Sequence, residues 1–384
     1  MRRVRSLRRE SSTLTEGLRI ALVHDYLTQY GGAEHVLAVL QRIFPSADTF
    51  TTLYDADATL PGIERERIQE SRLGLVPWFR QHHRAALPLF PLAMWDLRRR
   101  LKNYDVLIAD SSAWAHQVAP TSDQRLVVYC HSPARFLYGD SDYLSATGIR
   151  GMRAQMTYLA LSPYRWLDRR SYERADVVLA NSQLVANRLT THLGIDSQVL
   201  HPPIDVEQFL PNQPVPPEEW YLVVSRLVPH KRVDLVVETA TAHNLPVKII
   251  GTGRDYGRLR SMAGPTVEFL GFQTRQQVIS HYQRCRAFIL PGTEDFGMTA
   301  VEAQASGRPV IAINRGGALE TVVEGETGVL FDEHRSDSLR AAMRRLDSLS
   351  VTPEACLRNA RRFDASVFCA GMLEAVSRAK SSPR

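Results

Sequence analysis

The sequence predicts an α/β fold of two successive domains, each built on a parallel sheet covered by helices on both faces. Short apolar runs alternate with helical patterns through both halves of the chain, which is typical of parallel sheets. Most of these runs end in polar or glycine-rich turns. A proline-rich stretch at residues 201–217 separates the halves. We therefore expect two Rossmann-like domains whose sheets face each other across a ligand cleft.

The composition is that of a globular protein. Of 384 residues, 44% are apolar and 23% are charged, and no apolar run approaches the roughly 18 residues that a membrane-spanning helix needs. The cysteines lack the close spacing of a zinc site or a disulfide framework, which favours the reducing cytoplasm. They are Cys130, Cys285, Cys356 and Cys369.

The chain is basic, with a net charge of +6 and a pI of about 9.2, which suits anionic partners. Much of the excess lies in residues 1–17, which lack the apolar core of a signal peptide and are interpreted as a disordered basic tail. Contact of this tail with an anionic membrane face is the alternative. Because no RNA-recognition motif or basic recognition helix is present, nucleic acid is not expected as a partner.

The first domain, residues 18–205, begins with a strand at Leu18–Val23 and a loop containing Gly31 and Gly32. Two adjacent glycines allow the backbone to approach a ligand closely. Further strands of this domain are predicted at residues 48–53, 106–109, 126–129 and 177–180.

Polar residues follow two of these strands. His131 comes after residues 126–129 and is expected at the carboxyl edge of the sheet, although a lone histidine is usually structural or merely exposed. Asp110 and the pair in Asp140-Ser-Asp142 lack metal-binding spacing and are interpreted as turn residues.

Residues 73–100 combine aromatic and basic side chains, including Trp78, Trp95 and Arg98–Arg100. Three prolines within this stretch exclude a single long helix. The pattern suits a membrane interface or a lipid-phosphate acceptor. It suits equally a loop that packs its aromatic rings on the core.

A proline-rich linker at residues 206–219 leads to the second domain, residues 220–364. Arg226 and Lys231 lie just after its first strand, residues 221–224. Two cations at the carboxyl end of a strand can neutralise a diphosphate in place of a divalent metal. A solvated basic turn is the alternative.

A strand-to-helix turn follows the strand at residues 287–290. Glu294 lies in the turn and Glu302 lies eight residues later on the new helix. The helix start offers unpaired N–H groups and a favourable dipole for an anion. Two flanking carboxylates suggest recognition of sugar hydroxyls beside a phosphate, whereas a capping acid and a solvated glutamate are the plainer interpretation.

Taken together, these motifs resemble the retaining glycosyltransferases of the GT-B fold, family 4, of the EX7E type. The resemblance extends from about residue 18 to residue 365 in the expected order. The sequences that begin at His131, Arg226 and Glu302 further resemble bacterial mannosyltransferases of O-antigen and exopolysaccharide assembly, which implies GDP-mannose as donor. The matching elements are Gly31-Gly32-Ala33-Glu34, His131, Asn181-Ser182-Gln183, Arg226, Lys231, Gly251-Thr252-Gly253, Glu294, Glu302 and Gly316-Gly317-Ala318-Leu319-Glu320.

The resemblance implies a role for each of these residues in the second domain. Arg226 and Lys231 would hold the donor diphosphate and stabilise the charge of the leaving group. Glu294 would bind hydroxyls of the donor sugar, and Glu302 would bind the ribose. The start of the helix would contact sugar and phosphate through Phe296, Gly297, Met298 and Thr299.

In the first domain, the resemblance implies that Gly31 and Gly32 let their loop close on the diphosphate and the acceptor. His131 would border the sugar, and residues 365–384 would form a last helix that crosses back to this domain. Met298 is bulkier than the β-branched or small residue of the family pattern. The sequence does not explain what effect this has on the choice of donor.

The implied reaction retains the anomeric configuration through a front-face, oxocarbenium-like route. On this route the leaving phosphate removes the proton from the acceptor hydroxyl. The resemblance therefore implies no cofactor, no essential metal and no protein nucleophile. The acceptor would be a glycan or a polyprenyl-linked oligosaccharide of a cell-surface polysaccharide, reached from the cytoplasm or from the inner membrane face. A sugar-nucleotide epimerase of the same fold and a non-catalytic nucleotide or nucleic-acid binder remain the alternatives.

Overall fold

The computed structural model describes residues 17–29, 31–59, 62–138, 156, 159–211, 213 and 215–382. The basic tail, apart from Gly17, and Asp140 and Asp142 lie outside these residues. The chain divides into two compact units: residues 1–203 together with 366–384, and residues 204–365.

Unit 1 contains a parallel sheet of seven strands. In space the order is β3-β2-β1-β4-β5-β6-β7, and every neighbouring pair is parallel. The strands are β1 Ile20–His24, β2 Asp48–Thr51, β3 Ile68–Glu70, β4 Val106–Ser111, β5 Arg125–Cys130, β6 Val177–Ala180 and β7 Gln198–Val199.

Helices cover both faces of this sheet. Its described helices are α1 Gly32–Ile43, α2 Trp78–Gln81, α3 Phe90–Leu101, α4 Arg135–Tyr138, α5 Ser162–Tyr172, α6 Gln183–Leu193 and α14 Ala365–Ser381. The helix α14 packs Phe368 and Met372 on the same face as α1, whereas α3, α5 and α6 bury apolar side chains on the other face. Burial on both faces explains why the strands are almost continuously apolar.

Unit 2 repeats this architecture with six parallel strands in the order β10-β9-β8-β11-β12-β13. The strands are β8 Tyr221–Val224, β9 Val247–Ile250, β10 Val267–Gly271, β11 Ala287–Leu290, β12 Val310–Ile313 and β13 Gly328–Phe331. The described helices are α7 Val233–His243, α8 Tyr256–Met262, α9 Arg275–Arg284, α10 Met298–Ala305, α11 Ala318–Thr321, α12 Ser336–Asp347 and α13 Pro353–Ala360. The predicted fold of two parallel α/β sheets is confirmed.

Each sheet reverses its strand order once, between β1 and β4 in unit 1 and between β8 and β11 in unit 2. At such a point the crossover connections leave in opposite directions, so the loops at the carboxyl ends separate and a crevice opens. Ligands of open α/β sheets bind there. A ligand site is therefore expected among the residues that follow β1, β4, β8 and β11.

Residues 206–219, expected as an extended linker, begin with a segment that packs into unit 2. Val206 and Phe209 are buried in its core. The guanidinium of Arg308 donates a hydrogen bond to the carbonyl of Val215. The described part of this stretch therefore belongs to the second unit and is not a free connector.

Prolines also divide residues 73–100 as the sequence suggested. Pro77 precedes the short helix α2, Pro88 lies in a 3-10 helix at His83–Leu89, and Pro91 occupies the first turn of α3. A proline is tolerated in the first turn because the N–H there has no intrahelical partner. Among the described residues, no helix is long and apolar enough to cross a membrane.

We expect Phe209→Ala to lower the free energy of unfolding of unit 2 by about 3–5 kcal/mol, because it leaves a cavity in the core. Urea unfolding followed by limited proteolysis measures this change. Phe272, which is 69% exposed, provides the control: Phe272→Ala should change the same quantity by less than about 0.5 kcal/mol. Equal stabilities of the two variants would contradict the packing of this segment.

Candidate functional site

The loops after β8 and β11 meet at the reversal of strand order in unit 2. Lys231 ends a 3-10 turn at Pro229–Lys231 in the first loop, and Glu294 lies in the second. The Nζ of Lys231 donates to both carboxylate oxygens of Glu294, at 2.5 Å. Both side chains are only partly buried, so a ligand has access to this ion pair.

Close backbone packing fixes these two loops against each other. At Gly292, a Cβ atom would lie 2.8 Å from the carbonyl oxygen of Lys231. At Gly251, where φ is +137°, a Cβ atom would lie 1.9 Å from the carbonyl oxygen of Ser225. A larger residue at Gly292 would push apart the loops after β8 and β11. A larger residue at Gly251 would push apart the loops after β8 and β9, which explains both glycines.

The helix α10 begins directly after the Glu294 loop. Its N-cap is Gly297, with φ at +90°, and the ring of Phe296 is buried against Phe363 at 5.3 Å between centroids. Of the N–H groups in the first turn, that of Ala300 donates to the carbonyl oxygen of Gly297 at 2.9 Å, whereas those of Met298 and Thr299 have no intrahelical partner. A helix start of this kind can bind an anion.

A third loop, which follows β12, packs against the turn that contains Glu294. The N–H of Gly317 donates to the carbonyl oxygen of Glu294 at 2.9 Å. A Cβ atom at Gly317 would lie 2.2 Å from the carbonyl oxygen of Phe296. The two consecutive glycines, Gly316 and Gly317, thus allow the loop after β12 to lie directly on the Glu294 turn.

Arg226 lies in the same loop as Lys231 and is exposed. Within the described residues, its guanidinium has no hydrogen-bond or ion-pair partner. An arginine with five unused donors suits a ligand with several anionic oxygens.

Glu302 is buried on α10, and both of its carboxylate oxygens already have protein partners. Arg275 donates to one oxygen at 2.8 Å, and the hydroxyl of Tyr282 donates to the other at 3.1 Å. Burial, followed by the neighbouring charge of Glu302, raises the pKa of Tyr282 well above its ordinary value. A carboxylate oxygen accepts more than one hydrogen bond, so a ribose would share Glu302 with these two residues.

In unit 1, a buried carboxylate connects three strand ends. Asp110, near the end of β4, accepts from Nδ1 of His24 at 2.8 Å and from Nε2 of His131 at 2.6 Å. His24 ends β1, and His131 directly follows β5. The interpretation of Asp110 as a turn residue was wrong, because it lies within a central strand and is fully buried.

The charges of this cluster compensate one another. Burial by itself lowers the pKa of His24, but the hydrogen bond and charge of Asp110, together with the charges of Glu34 and Asp25, raise it to about 9. Burial opposes the ionised form of Asp110 as well, yet the charge and hydrogen bond of His131, with those of His24, keep its pKa below the ordinary value. His24 is therefore a cation at neutral pH.

Glu34 lies at the start of α1, next to Gly31 and Gly32. Burial raises the pKa of Glu34, against the lowering effect of the charge of His24. Its Oε2 atom is buried without a hydrogen-bond partner, and a Cβ atom at Gly31 would lie 2.9 Å from it. Gly31 thus makes room for this carboxylate, a reason that is independent of any ligand.

Asp25 secures the loop that follows β4. Its two oxygens accept backbone N–H groups from four consecutive residues, Ser112 to Ala115, at 2.5–2.9 Å. This arrangement fixes the carboxyl edge beside Asp110. In the described part of the chain, no group of three or more His, Cys, Asp or Glu side chains could hold a metal ion.

Sequence reasoning missed His24, Asp110 and Glu34 as members of the unit 1 cluster. A signal was available, because His24 and Asp110 end the two apolar runs that flank the reversal of strand order. Their partnership depends on β1 and β4 being neighbours, which the sequence does not state.

Two family models match the chain, one in each half. Residues 30–208 match Glycosyltransferase Family 4, and residues 207–363 match Glycosyl transferases group 1. An uncharacterized glycosyltransferase of Methanocaldococcus jannaschii is 28% identical over 171 residues, 43% of this chain and 48% of that protein. A D-inositol 3-phosphate glycosyltransferase of Rhodococcus jostii is 28% identical over 234 residues, 52% of each protein. The chain spans about half the length of the curated relatives it matches.

Solved structures share the fold over nearly the whole chain. Anabaena Alr3699/HepE in complex with UDP superposes with a TM-score of 0.72 at 18% identity, covering 94% of this chain and 100% of that one. The sucrose-phosphate synthase of Thermosynechococcus elongatus gives a TM-score of 0.74 at 16% identity, covering 95% and 100%. At these identities the likeness establishes the fold alone.

We expect His24→Gln to remove a contribution to stability that depends on pH. Because the pKa of His24 is about 9 in the folded chain, against roughly 6.5 in an unfolded one, its stabilising charge is fully present below about pH 6.5 and is lost as the pH rises through 9. The difference in the free energy of unfolding between wild type and variant should therefore shrink by roughly 3 kcal/mol from pH 6 to pH 10. Urea unfolding at several pH values measures it, and a constant difference would contradict the assignment.

Proposed function

The chain combines a domain of Glycosyltransferase Family 4 with a domain of Glycosyl transferases group 1, and from this we propose that it is a retaining glycosyltransferase. The observation that carries the proposal is the Lys231–Glu294 pair beside the N-terminus of α10. A cation, a carboxylate and unpaired helix N–H groups are the three elements that a sugar diphosphate requires. The cation and the N–H groups take the phosphates, and the carboxylate takes the sugar hydroxyls.

Lys231 and Arg226 act on the leaving group. As the bond between the sugar and the phosphate breaks, negative charge grows on the diphosphate, and fixed cations stabilise that charge more in the transition state than in the ground state. The pairing with Glu294 holds Lys231 in place before the ligand arrives, which lowers the cost of organising the site.

Glu294 acts on the sugar. Its carboxylate accepts hydrogen bonds from donor-sugar hydroxyls and lies near positive charge as the anomeric carbon becomes oxocarbenium-like. The departing phosphate oxygen removes the proton from the acceptor hydroxyl, and the new bond forms on the face that the phosphate leaves. The protein supplies binding and electrostatics, and the substrate supplies the base.

We propose GDP-mannose as donor, supported by the resemblance of the motifs at His131, Arg226 and Glu302 to bacterial mannosyltransferases. The acceptor is a glycan or a polyprenyl-linked oligosaccharide of a cell-surface polysaccharide, and the enzyme acts in the cytoplasm or at the inner membrane face. Thermal shift with GDP, UDP and ADP, each free and as its sugar, tests the nucleotide. If UDP, the ligand named for the Anabaena structure, raises the melting temperature more than GDP does, uracil would replace guanine as the proposed base of the donor.

We expect Glu294→Ala to reduce transfer to below about one-thousandth of the wild-type rate while GDP still binds, because the carboxylate serves the sugar and not the nucleotide. Product formation from labelled GDP-mannose and GDP binding by calorimetry measure the two properties. Glu326, exposed in the same unit, is the matched control, and Glu326→Ala should transfer normally. Undiminished turnover of Glu294→Ala would refute the role, and epimerised donor without transfer would favour the epimerase.

Lys231→Ala should weaken the binding of GDP and of GDP-mannose to a similar extent, with an increase of about 10–100-fold in each Kd. Both ligands lose a charge-assisted hydrogen bond to the diphosphate. Calorimetric titration measures both affinities. Lys380→Ala, at an exposed position near the end of α14, is the control and should leave them unchanged. Unchanged affinity of Lys231→Ala would reject its diphosphate role.

A further inference from the structure

Exposed apolar side chains are concentrated in one part of unit 1. Among the described residues, most large hydrophobic side chains that face solvent lie between residues 75 and 166. They are Leu75, Val76, Trp78, Leu89, Leu92, Trp95, Met156, Leu159 and Trp166. Single exposed apolar residues are normal, but a concentration of this kind marks an interaction site.

The helix α3 shows the pattern most clearly. Its inner side is buried through Met94 and Leu97, whereas Leu92 is 65% exposed and Trp95 is 58% exposed. The guanidinium of Arg99 lies over the ring of Trp95, 5.4 Å from its centre. The outward side of α3 is therefore apolar and cationic, the opposite of a solvated helix face.

The chain before α3 extends this surface. Leu75, Val76 and Trp78 are exposed in the turn that leads into α2. The ring of Trp78 stacks on His82 at 4.4 Å between centroids, meets the ring of Phe79 edge-on at 5.5 Å, and is still 54% exposed. A stacked tryptophan presents a rigid apolar surface at little cost in side-chain entropy.

The helix α5 presents a second exposed tryptophan surface. Trp166 is 68% exposed, while Asp168 and Tyr172 on the inner side are buried. The ring of Trp114 contacts Phe90 of α3 at 6.0 Å and Tyr164 of α5 at 6.3 Å. Both helices thus cover the same face of the sheet, and their exposed residues lie on the outside of one layer.

Positive charge accompanies the apolar side chains. Asp96 lies between Arg72 and Arg100, at 3.5 and 3.9 Å. Asp96 and Glu173 each face two arginines, so cations are in excess around these two acids, whereas Glu70, within the described residues, faces Arg80 alone. On α5 the acid is Glu173, which lies 3.1 Å from both Arg169 and Arg170.

We propose that the outer side of this layer, which we call the tryptophan–arginine surface, docks unit 1 on a bilayer of anionic phospholipid. It comprises Leu75, Val76, Trp78, Leu92, Trp95, Trp166, Arg72, Arg99, Arg169 and Arg170. Tryptophan rings and leucine side chains enter the headgroup region, where an amphipathic ring has both an apolar and a wet side. Arginine stems extend along the apolar region while their guanidinium groups bind lipid phosphates.

Tryptophan and arginine are both enriched in protein interfaces, so the composition alone does not choose the partner. The choice of an anionic bilayer rests on charge complementarity, because Asp96 and Glu173 each face two arginines and cations are in excess around them. An anionic leaflet attracts such cations at about 1 kcal/mol for each lysine or arginine near the surface. The inference adds a membrane partner to the proposed function, but vesicle binding needs neither donor nor acceptor, so either proposal can fail alone.

Vesicle flotation of the full chain tests the surface. We expect binding to phosphatidylcholine vesicles that contain 30% phosphatidylglycerol, little binding to pure phosphatidylcholine, and release of the protein at high salt, because the attraction is partly electrostatic. The double variant Trp78→Ser with Trp95→Ser should bind about tenfold more weakly. Arg99→Gln with Arg169→Gln should weaken binding to the anionic vesicles alone.

Two controls separate this surface from other sources of affinity. Phe272→Ser removes an equally exposed ring from unit 2 and should leave vesicle binding unchanged. A chain that begins at residue 17 lacks the basic tail and should still bind. Circular dichroism and melting temperatures of all variants show that each one is folded.

Several outcomes would overturn the proposal. Equal binding to neutral and anionic vesicles would remove the role of charge. Binding that disappears with the tail but survives in the tryptophan variant would assign it to residues 1–16. Self-association of the wild type that the tryptophan variant abolishes, without vesicle binding, would make the surface a contact between copies of this chain.

Discussion

Parallel strand pairing is the constraint on which the rest of this structure depends. Because every strand pairs in parallel with its neighbours, each connection must return along a face of the sheet, and all carboxyl ends lie at one edge. Residues at or just after the ends of adjacent strands therefore become neighbours, whatever their separation in sequence. Lys231 and Glu294 are 63 residues apart and share hydrogen bonds, and His24 and Asp110 are 86 residues apart.

Three buried carboxylates at these edges are stabilised because each has several hydrogen-bond donors. Asp110 accepts from two imidazoles, Asp25 accepts from four backbone N–H groups, and Glu302 accepts from an arginine and a tyrosine. An ionised group without such partners would be too costly in the interior. The same bonds hold the loops in one arrangement, so the groups that would contact a ligand are oriented before it binds. Oε2 of Glu34 lacks such a partner.

Much of the fold and part of the candidate site could be predicted from sequence. Apolar runs of four to six residues correspond to strands in both units, since burial on both faces of a parallel sheet requires them. Glu294, Lys231 and His131 were identified because each follows such a run. Phe209 shows the limit of this reasoning, because a proline-rich composition predicts an extended chain without telling whether its apolar residues pack on a neighbour.

The sequence by itself determined the α/β class, the two successive sheets and the polar groups at the strand ends, because periodicity and turn residues are local properties. Only the tertiary structure decided which of those groups become partners, since contact between distant strand ends depends on the spatial order of the strands. It also decided that Trp78, Trp95 and Trp166 face solvent. Helical spacing defines an apolar side, but only the packing of the neighbouring elements decides whether that side is covered.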